Sequence, residues 1–484
     1  MNLTTVLSPT FKPYKHQTFS ADFYLDLLKK ELGALNTSDC GTGKTGGVIL
    51  YLAKLKDSGE LPPVLVLGPL SILQPAWGND ISSFAAGLTY SICYAKNRRK
   101  AMEAEADIHI TNHDAIKFLS QKANSDLLKK FENGIIIVDE FTAFKNPMAQ
   151  RTKAMLFVVS KMRQSILLSG TPRPKSVLDI FVPAMLCDRG KRLGNRYYAF
   201  RAKMCVANQV GRDPNAVQWE ERPESNSMVT DKLKDITIRF AASDCLDLPP
   251  NQKRYMEVEL PAKTMKAYKE MLKESQAVGE DGAVNAINAA VRTQKLLQMC
   301  TGAVYNEEGQ VVNFHKERYQ LVFDLAREVE HSVIAFNWRH ERDAISEVID
   351  AFNKRAPKGD KVNYAFIDGT VRDPEVRSRI VEEYQAGRIN IIICHPASAG
   401  HGLTLTRGTR TIWCSATNNA EHFIQLNHRI DRAGQTKKTE TIMISAKGTG
   451  EPRVYKKLVE GKVKTQADML NVFNESTRDS LEKY

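Results

Sequence analysis

Short, mainly apolar runs of three or four residues recur along this chain and are separated by longer amphipathic segments. A strand that alternates polar and apolar residues covers one face of a core. An unbroken run is buried on both faces, as in a parallel sheet packed between helices. The first half carries Val64-Leu65-Val66-Leu67, Ile108-His109-Ile110-Thr111, Ile135-Ile136-Ile137-Val138 and Ile166-Leu167-Leu168. The second carries Val333-Ile334-Ala335-Phe336, Tyr364-Ala365-Phe366-Ile367, Ile391-Ile392-Ile393-Cys394, Thr411-Ile412-Trp413 and Thr441-Ile442-Met443-Ile444. Between them, stretches such as 343–352 and 375–384 space apolar residues three to four apart, as one helical face requires. The pattern predicts an α/β chain with two tandem doubly wound parallel-sheet domains, at 1–185 and 331–450. The span 186–330 opens with basic and aromatic residues, turns polar around Arg212 to Ser227 and then reads as helices, with Met265, Tyr268, Met271 and Leu272 on one face. It is expected to be a linker and helical accessory segment, with charged C-terminal helices at 451–484.

The 484 residues, 42% hydrophobic and 26% charged, suffice for two such cores and exclude disorder, collagen and coiled coil as whole-chain descriptions. No run nears the roughly 18 apolar residues that cross a bilayer. The opening MNLTTVLSPTFKPYKHQ lacks the basic flank and apolar stretch of a secretory leader, so a soluble, cytoplasmic chain with no membrane partner is expected. No oligomerisation element is evident, which leaves a monomer as the default. Lys and Arg number 68 against 56 Asp and Glu, and the net charge of +12 suits a polyanionic partner. The eight cysteines are scattered without CxxC or Cys/His zinc spacing, so no structural metal is expected.

Chemistry concentrates in three places. Ser38-Asp39-Cys40-Gly41-Thr42-Gly43-Lys44-Thr45 follows a candidate strand, 32–37, and precedes an apolar helix, 46–55. Glycines 41 and 43 let backbone N–H groups turn inward around a phosphate, and the helix N-terminus behind them favours negative charge. Lys44 would reach the β- and γ-phosphates of ATP, and the Thr45 hydroxyl would hold magnesium. The strict P-loop string has Gly where this chain has Ser38. Asp139-Glu140 ends the most apolar run; beside a P-loop, Asp139 orients magnesium and Glu140 polarises the attacking water. Arg429 and Arg432 are three residues apart, so a helix would place both on one face, as arginine fingers for a γ-phosphate.

In order, these motifs resemble those of a superfamily-two helicase-type ATPase of the Swi/Snf translocase family. Pro13-Tyr14-Lys15-His16-Gln17 is similar to the adenine-reading glutamine motif, with Gln17 as the reader. Val66-Leu67-Gly68-Pro69-Leu70-Ser71-Ile72-Leu73-Gln74 resembles the first DNA-contact motif, and Asp139 to Asn146 a DEAH-like box followed by Lys-Asn. Leu168-Ser169-Gly170-Thr171-Pro172 resembles the coupling motif, with Ser169, Gly170 and Thr171 carried over. Phe366 to Thr370, Ser398 to Thr406, and Gln425 to Gln435 complete the set, and 238–250 resembles the linker between motor domains. Phe141-Thr142 departs from the family's Ala-His, and Arg173-Pro174 from its Leu-Gln.

The resemblance covers about residues 11–440 and is nearest to compact forms like the annealing-helicase branch, familiar from bacteriophage genomes; a phage origin would mean host cytoplasm. It implies two RecA-like domains, magnesium and ATP as cofactors, and Gly402 and Gln425 as further nucleotide contacts. It also implies phosphate-backbone contacts at Ser71, Thr111, Asn112, Thr404 and Thr406, positioning contacts with little sequence readout. The activity implied is ATP-driven translocation on duplex DNA that remodels forked or branched structures, with replication or recombination proteins as possible partners. An RNA or single-strand helicase, or a nucleotide-switched scaffold without a motor, stays open as an alternative.

Overall fold

The computed structural model describes residues 5–463 except 171–175, 210–216, 246–248, 281–285, 307, 400–402 and 433, and beyond 463 only Thr477, Ser480 and Leu481. The chain forms two compact units, residues 1–247 with 465–484 and residues 248–464.

The first unit is built on a seven-stranded sheet. Its strands are β1 (Ala34–Asn36), β2 (Val64–Gly68), β3 (Tyr90–Cys93), β4 (Ile108–Asn112), β5 (Ile135–Asp139) and β6 (Gln164–Leu168). A hairpin of β7 (Cys205–Gln209) and β8 (Val217–Glu221) lies outside the sheet, and β9 (Thr237–Ile238) rejoins it as an edge. The order is β3-β4-β2-β5-β6-β1-β9 and every pairing is parallel. The unbroken apolar runs are the central strands: β2 and β6 are buried throughout, and β5 up to Val138. Each fully buried aliphatic side chain contributes about 1.5–3 kcal/mol. Helices α1 (Lys15–Lys29) and α2 (Lys44–Asp57) pack on the sheet; α2 buries Val48, Ile49, Leu50, Tyr51, Leu52 and Ala53 together, which makes it a core helix.

The second unit has a six-stranded parallel sheet ordered β10-β17-β16-β13-β15-β14. Its strands are β10 (Asn251–Val258), β13 (Ser332–Ala335), β14 (Tyr364–Ile367), β15 (Ile391–Cys394), β16 (Arg410–Trp413) and β17 (Thr439–Ala446), with a separate hairpin of β11 (Ala303–Tyr305) and β12 (Val311–Asn313). The protein is thus α/β with two parallel-sheet, RecA-like domains.

The unit boundary falls inside the span read from the sequence as one segment, 186–330. Its first part closes on the first sheet: Phe200, Met204, Val229 and Leu233 are buried in that core, and β9 pairs with β1. The rest joins the second unit, where β10 lies beside β17 over its whole length. Of the C-terminal stretch 451–484, Tyr455 and Leu458 join the second core. Thr477 returns to the first unit, where its Oγ1 accepts the Arg239 backbone N–H at 3.0 Å. Among the described residues no helix is long and apolar enough to cross a membrane.

Candidate nucleotide-binding site

The C-terminal ends of β1, β5 and β6 converge in the first unit, the position where open parallel sheets bind ligands. Gly41 and Gly43 have φ of +84° and +75°, the left-handed region that glycine enters without strain, so the turn before α2 requires both. Lys44 Nζ donates to the carbonyls of Ser38 at 2.8 Å and Asp39 at 3.0 Å, which gathers the loop around its own cation. Thr45, the second residue of α2, is half-buried.

Two elements clamp the loop. From α1, His16 Nε2 donates to the Thr42 carbonyl at 2.7 Å and Gln17 Nε2 to the Gly43 carbonyl at 3.0 Å. From the segment after β9, Arg239 donates through Nη1 to the Thr37 carbonyl at 2.6 Å and through Nη2 to the Asp39 carboxylate at 2.7 Å. Ala242 N–H donates to the other Asp39 oxygen at 3.0 Å, and Phe240 N–H to Ser38 Oγ at 3.0 Å. Ser38, where a strict P-loop has glycine, therefore has a local reason: its hydroxyl holds the linker strand. Asp39 likewise faces Arg239.

Across the sheet, β5 presents the acidic pair. Glu140 has φ +53°, an uncommon conformation for a side chain of its size and of the kind found at functional sites. Its Oε2 accepts from Ser169 Oγ at 3.1 Å, so the coupling-motif serine touches the acid expected to handle water. Asp139 Oδ2 accepts from the indole of Trp77 at 3.0 Å, and its carbonyl accepts from His113 Nε2 at 2.7 Å. Burial, then the neighbouring Glu140, raises the Asp139 carboxyl above its ordinary range. Two adjacent, half-buried carboxylates make a hard, oxygen-donor set, and this set fits magnesium. Gly170 is required by a close approach: a Cβ there would lie 2.6 Å from Cys40 Sγ and 3.1 Å from Cys40 N.

Several expectations meet a different arrangement. Gln17 is 5% exposed and its amide is occupied at both ends, Oε1 accepting the Tyr14 N–H at 2.9 Å. In this structure it is a loop staple. Arg429 and Arg432 do not lie on a helix, because Ala420–Asn427 ends before them with His428 as its cap. The turn beyond is pinned by Gln435, whose Nε2 donates to the carbonyls of Thr406, Gly408 and Ile430. Even so, both guanidiniums reach the Leu403 carbonyl, at 3.3 and 3.1 Å, so the two cations share one side of the turn. Gln425 is 1% exposed within that helix.

Among the phosphate-contact candidates, Thr111 is buried and its hydroxyl donates to the Cys93 carbonyl at 2.8 Å, so it serves the sheet interior. Asn112 Oδ1 accepts from Arg98 at 2.8 Å at the end of β4. Thr406 Oγ1 accepts from Gln385 at 3.0 Å, and Thr404 is half-buried. The Ser71 side chain, Thr171 and Gly402 lie outside the described residues. Trp77, His113 and Arg239 are the site residues sequence reasoning missed. Arg239 alone carried a signal, as the sole cation in the span 238–250 that resembles the linker.

Residues 16–308 match the family model described as SNF2-related domain, and residues 305–437 match the helicase conserved C-terminal domain. The chain is 28% identical to "Putative protein p41" of Acyrthosiphon pisum secondary endosymbiont phage 1, over 89% of this chain and 90% of that protein. It is 23% identical to human "DNA annealing helicase and endonuclease ZRANB3", over 89% of this chain but only 38% of that longer protein. Among solved structures, a Sulfolobus solfataricus SWI2/SNF2 ATPase core in complex with dsDNA aligns over 98% of both chains, with a TM-score of 0.43 and 19% identity.

Proposed function

The chain belongs to the SNF2-related family, and from that premise we propose that it is an ATP-driven translocase on duplex DNA that remodels forked or branched structures. The coarser part stands without proposal: it is a helicase-type ATP hydrolase. The single observation that carries the reading is the convergence of the Gly41–Thr45 loop with Asp139 and Glu140 at the C-terminal edge of one sheet, with Lys44, Asp139 and Glu140 each held by named partners.

In the proposed mechanism Lys44 exchanges the Ser38 and Asp39 carbonyls for phosphate oxygens, which frees the loop to cradle the triphosphate. Thr45 and Asp139 would hold magnesium, which supplies charge neutralisation at the phosphate oxygens. Glu140 orients the attacking water and receives its proton, and Ser169 fixes the carboxylate in that role. Arg429 and Arg432 are the proposed fingers for charge developing on the γ-phosphate. DNA contact is supported by the net charge of +12 and by Asn112 and Arg98 at the end of β4. A host-cytoplasmic setting is supported by the phage origin of the p41 relative.

The test is steady-state ATPase rate with no nucleic acid, single-stranded DNA, blunt duplex, a model fork and structured RNA, with Lys44→Ala as control. Strongest stimulation by duplex or fork is expected. Equal or better stimulation by RNA would replace the track, and no stimulation by any of them would replace the motor with a switch.

A further inference from the structure

Among the described residues, one side chain donates to the Asp139 carboxylate: the indole of Trp77, 3.0 Å from Oδ2. Trp77 is fully buried, and a buried indole N–H needs an acceptor. It belongs to an irregular segment that leaves the end of β2, with a 3-10 turn at Leu70–Ile72, a single π turn at Leu73–Gly78 and the short helix Asn79–Phe84. A π turn changes which side chains face inward, and such turns gather at functional sites. Here Ile72, Leu73, Trp77 and Ile81 go into the core, while Leu70, Gln74 and Asn79 face outward, with Leu70 at 50% exposure.

We propose that Trp77 is a positioning residue through which polyanion contact on the outer face of segment 70–79 sets the orientation of the Asp139 carboxylate. The strand ends make the link stiff. Leu67 of β2 pairs with Val138 of β5, and a Cβ at Gly68 would lie 3.8 Å from Asp139 Cβ. The indole sits on the turn that leaves the sheet at Gly68–Pro69, so a displacement of that segment would be passed to Asp139. The edge is also furnished for phosphate, because Gly68 is paired with Asn112, which Arg98 holds at 2.8 Å. The inference rests on the reading proposed above that Asn112 and Arg98 at this strand edge contact nucleic acid. The chemical class of the effector is a nucleic-acid backbone, and the quantity it regulates is metal affinity.

Manganese, a reporter for magnesium, gives a readout independent of turnover. Its dissociation constant in the ADP complex is read from the free-ion signal in electron paramagnetic resonance, with and without a blunt duplex. In the unmodified chain, duplex should tighten manganese. Trp77→Phe keeps a buried ring but lacks the donor; it should weaken manganese by about tenfold, as loss of a metal ligand's supporting partner does, and should abolish the response to duplex. Should Trp77→Phe fold poorly by its melting temperature, benzothienylalanine at position 77 repeats the test with the indole's shape and no N–H. Affinity unchanged within about twofold, or weakened affinity that duplex still tightens to the same degree, overturns the proposal. An unmodified chain whose ATPase ignores every nucleic acid defeats the functional reading and the coupling with it. The ADP-only manganese affinity of Trp77→Phe then still decides whether the indole positions Asp139.

Discussion

Lys44 and Glu140 sit at opposite ends of the same chemistry, and their surroundings predict different failures. Lys44 is the cation that gathers the loop carbonyls, so Lys44→Ala should lose both nucleotide affinity and turnover. Glu140→Gln keeps the Ser169 hydrogen bond and removes only the base. Fluorescent-nucleotide titration should find binding retained, and single-turnover assays a loss of about 10²–10⁴-fold, the range for general-base removal. Unchanged turnover in both would remove the site assignment. Arg432→Ala should leave nucleotide binding intact and cut turnover by about 10³-fold, as loss of an arginine finger does; a deficit below about tenfold would mean another residue supplies the finger. Gln17, the adenine reader by resemblance, uses its amide here to join the start of α1 to Gly43.

At the scale of elements, the second unit is held by two buried acids with opposite consequences. Glu341, at the third position of the helix Arg339–Asn353, accepts the N–H groups of Asn337 at 2.6 Å and Trp338 at 2.9 Å. Burial outweighs those bonds and pushes its carboxyl up to about 7. A folded-state value above the unfolded one means this acid favours folding most at low pH, and that contribution is lost as pH rises through 7. Glu341→Gln stays neutral and still accepts with its amide oxygen. It should therefore raise the melting temperature at pH 8, by up to about 3 kcal/mol of stability, and change little at pH 5. Equal effects at both pH values would refute the charge argument.

Glu451 is the converse case, ion-paired with Arg318 at 3.0 and 2.5 Å, with both side chains fully buried. Arg318 also donates to the Cys414 carbonyl and Glu451 accepts the Ala446 N–H, so the pair ties two helices to the ends of β16 and β17. Glu451→Ala leaves a buried cation unpaired and should cost about 3–5 kcal/mol, whereas Arg318→Met with Glu451→Leu should recover most of it. Denaturant titration of the unmodified chain and the two variants distinguishes a mere packing role, in which the double variant would be the least stable.

Over the whole molecule, two separate cores predict two calorimetric transitions, of which ADP with magnesium should raise only the one belonging to the first unit. That unit is discontinuous, since Thr477 supplies the acceptor for the Arg239 N–H beside the phosphate loop. Thr477→Ala strands a buried donor and should lower the nucleotide-sensitive transition by about 1–3 kcal/mol of stability, leaving the other in place. A fall in the other transition instead would misassign the C-terminal stretch.

Residue order was enough for the central strands and the chemical groups. An unbroken run such as Ile135–Val138 has few fates in water, and Gly-Thr-Gly-Lys-Thr after a strand has fewer. Of the edge strands, β14 was read as an apolar run but β3, β9 and β10 were not: β10 alternates half-buried and exposed residues like a solvated surface, and β9 is two residues long. The partners were not legible either. Asp39 and Arg239 are 200 positions apart, Trp77 and Asp139 are 62 apart, and nothing local in either segment favours the other. Apolar periodicity is a short-range property that each segment carries with it. A hydrogen bond between distant side chains exists only once the sheet has brought strand ends together, so the chemistry of this site was written in the chain and its wiring was decided by the fold.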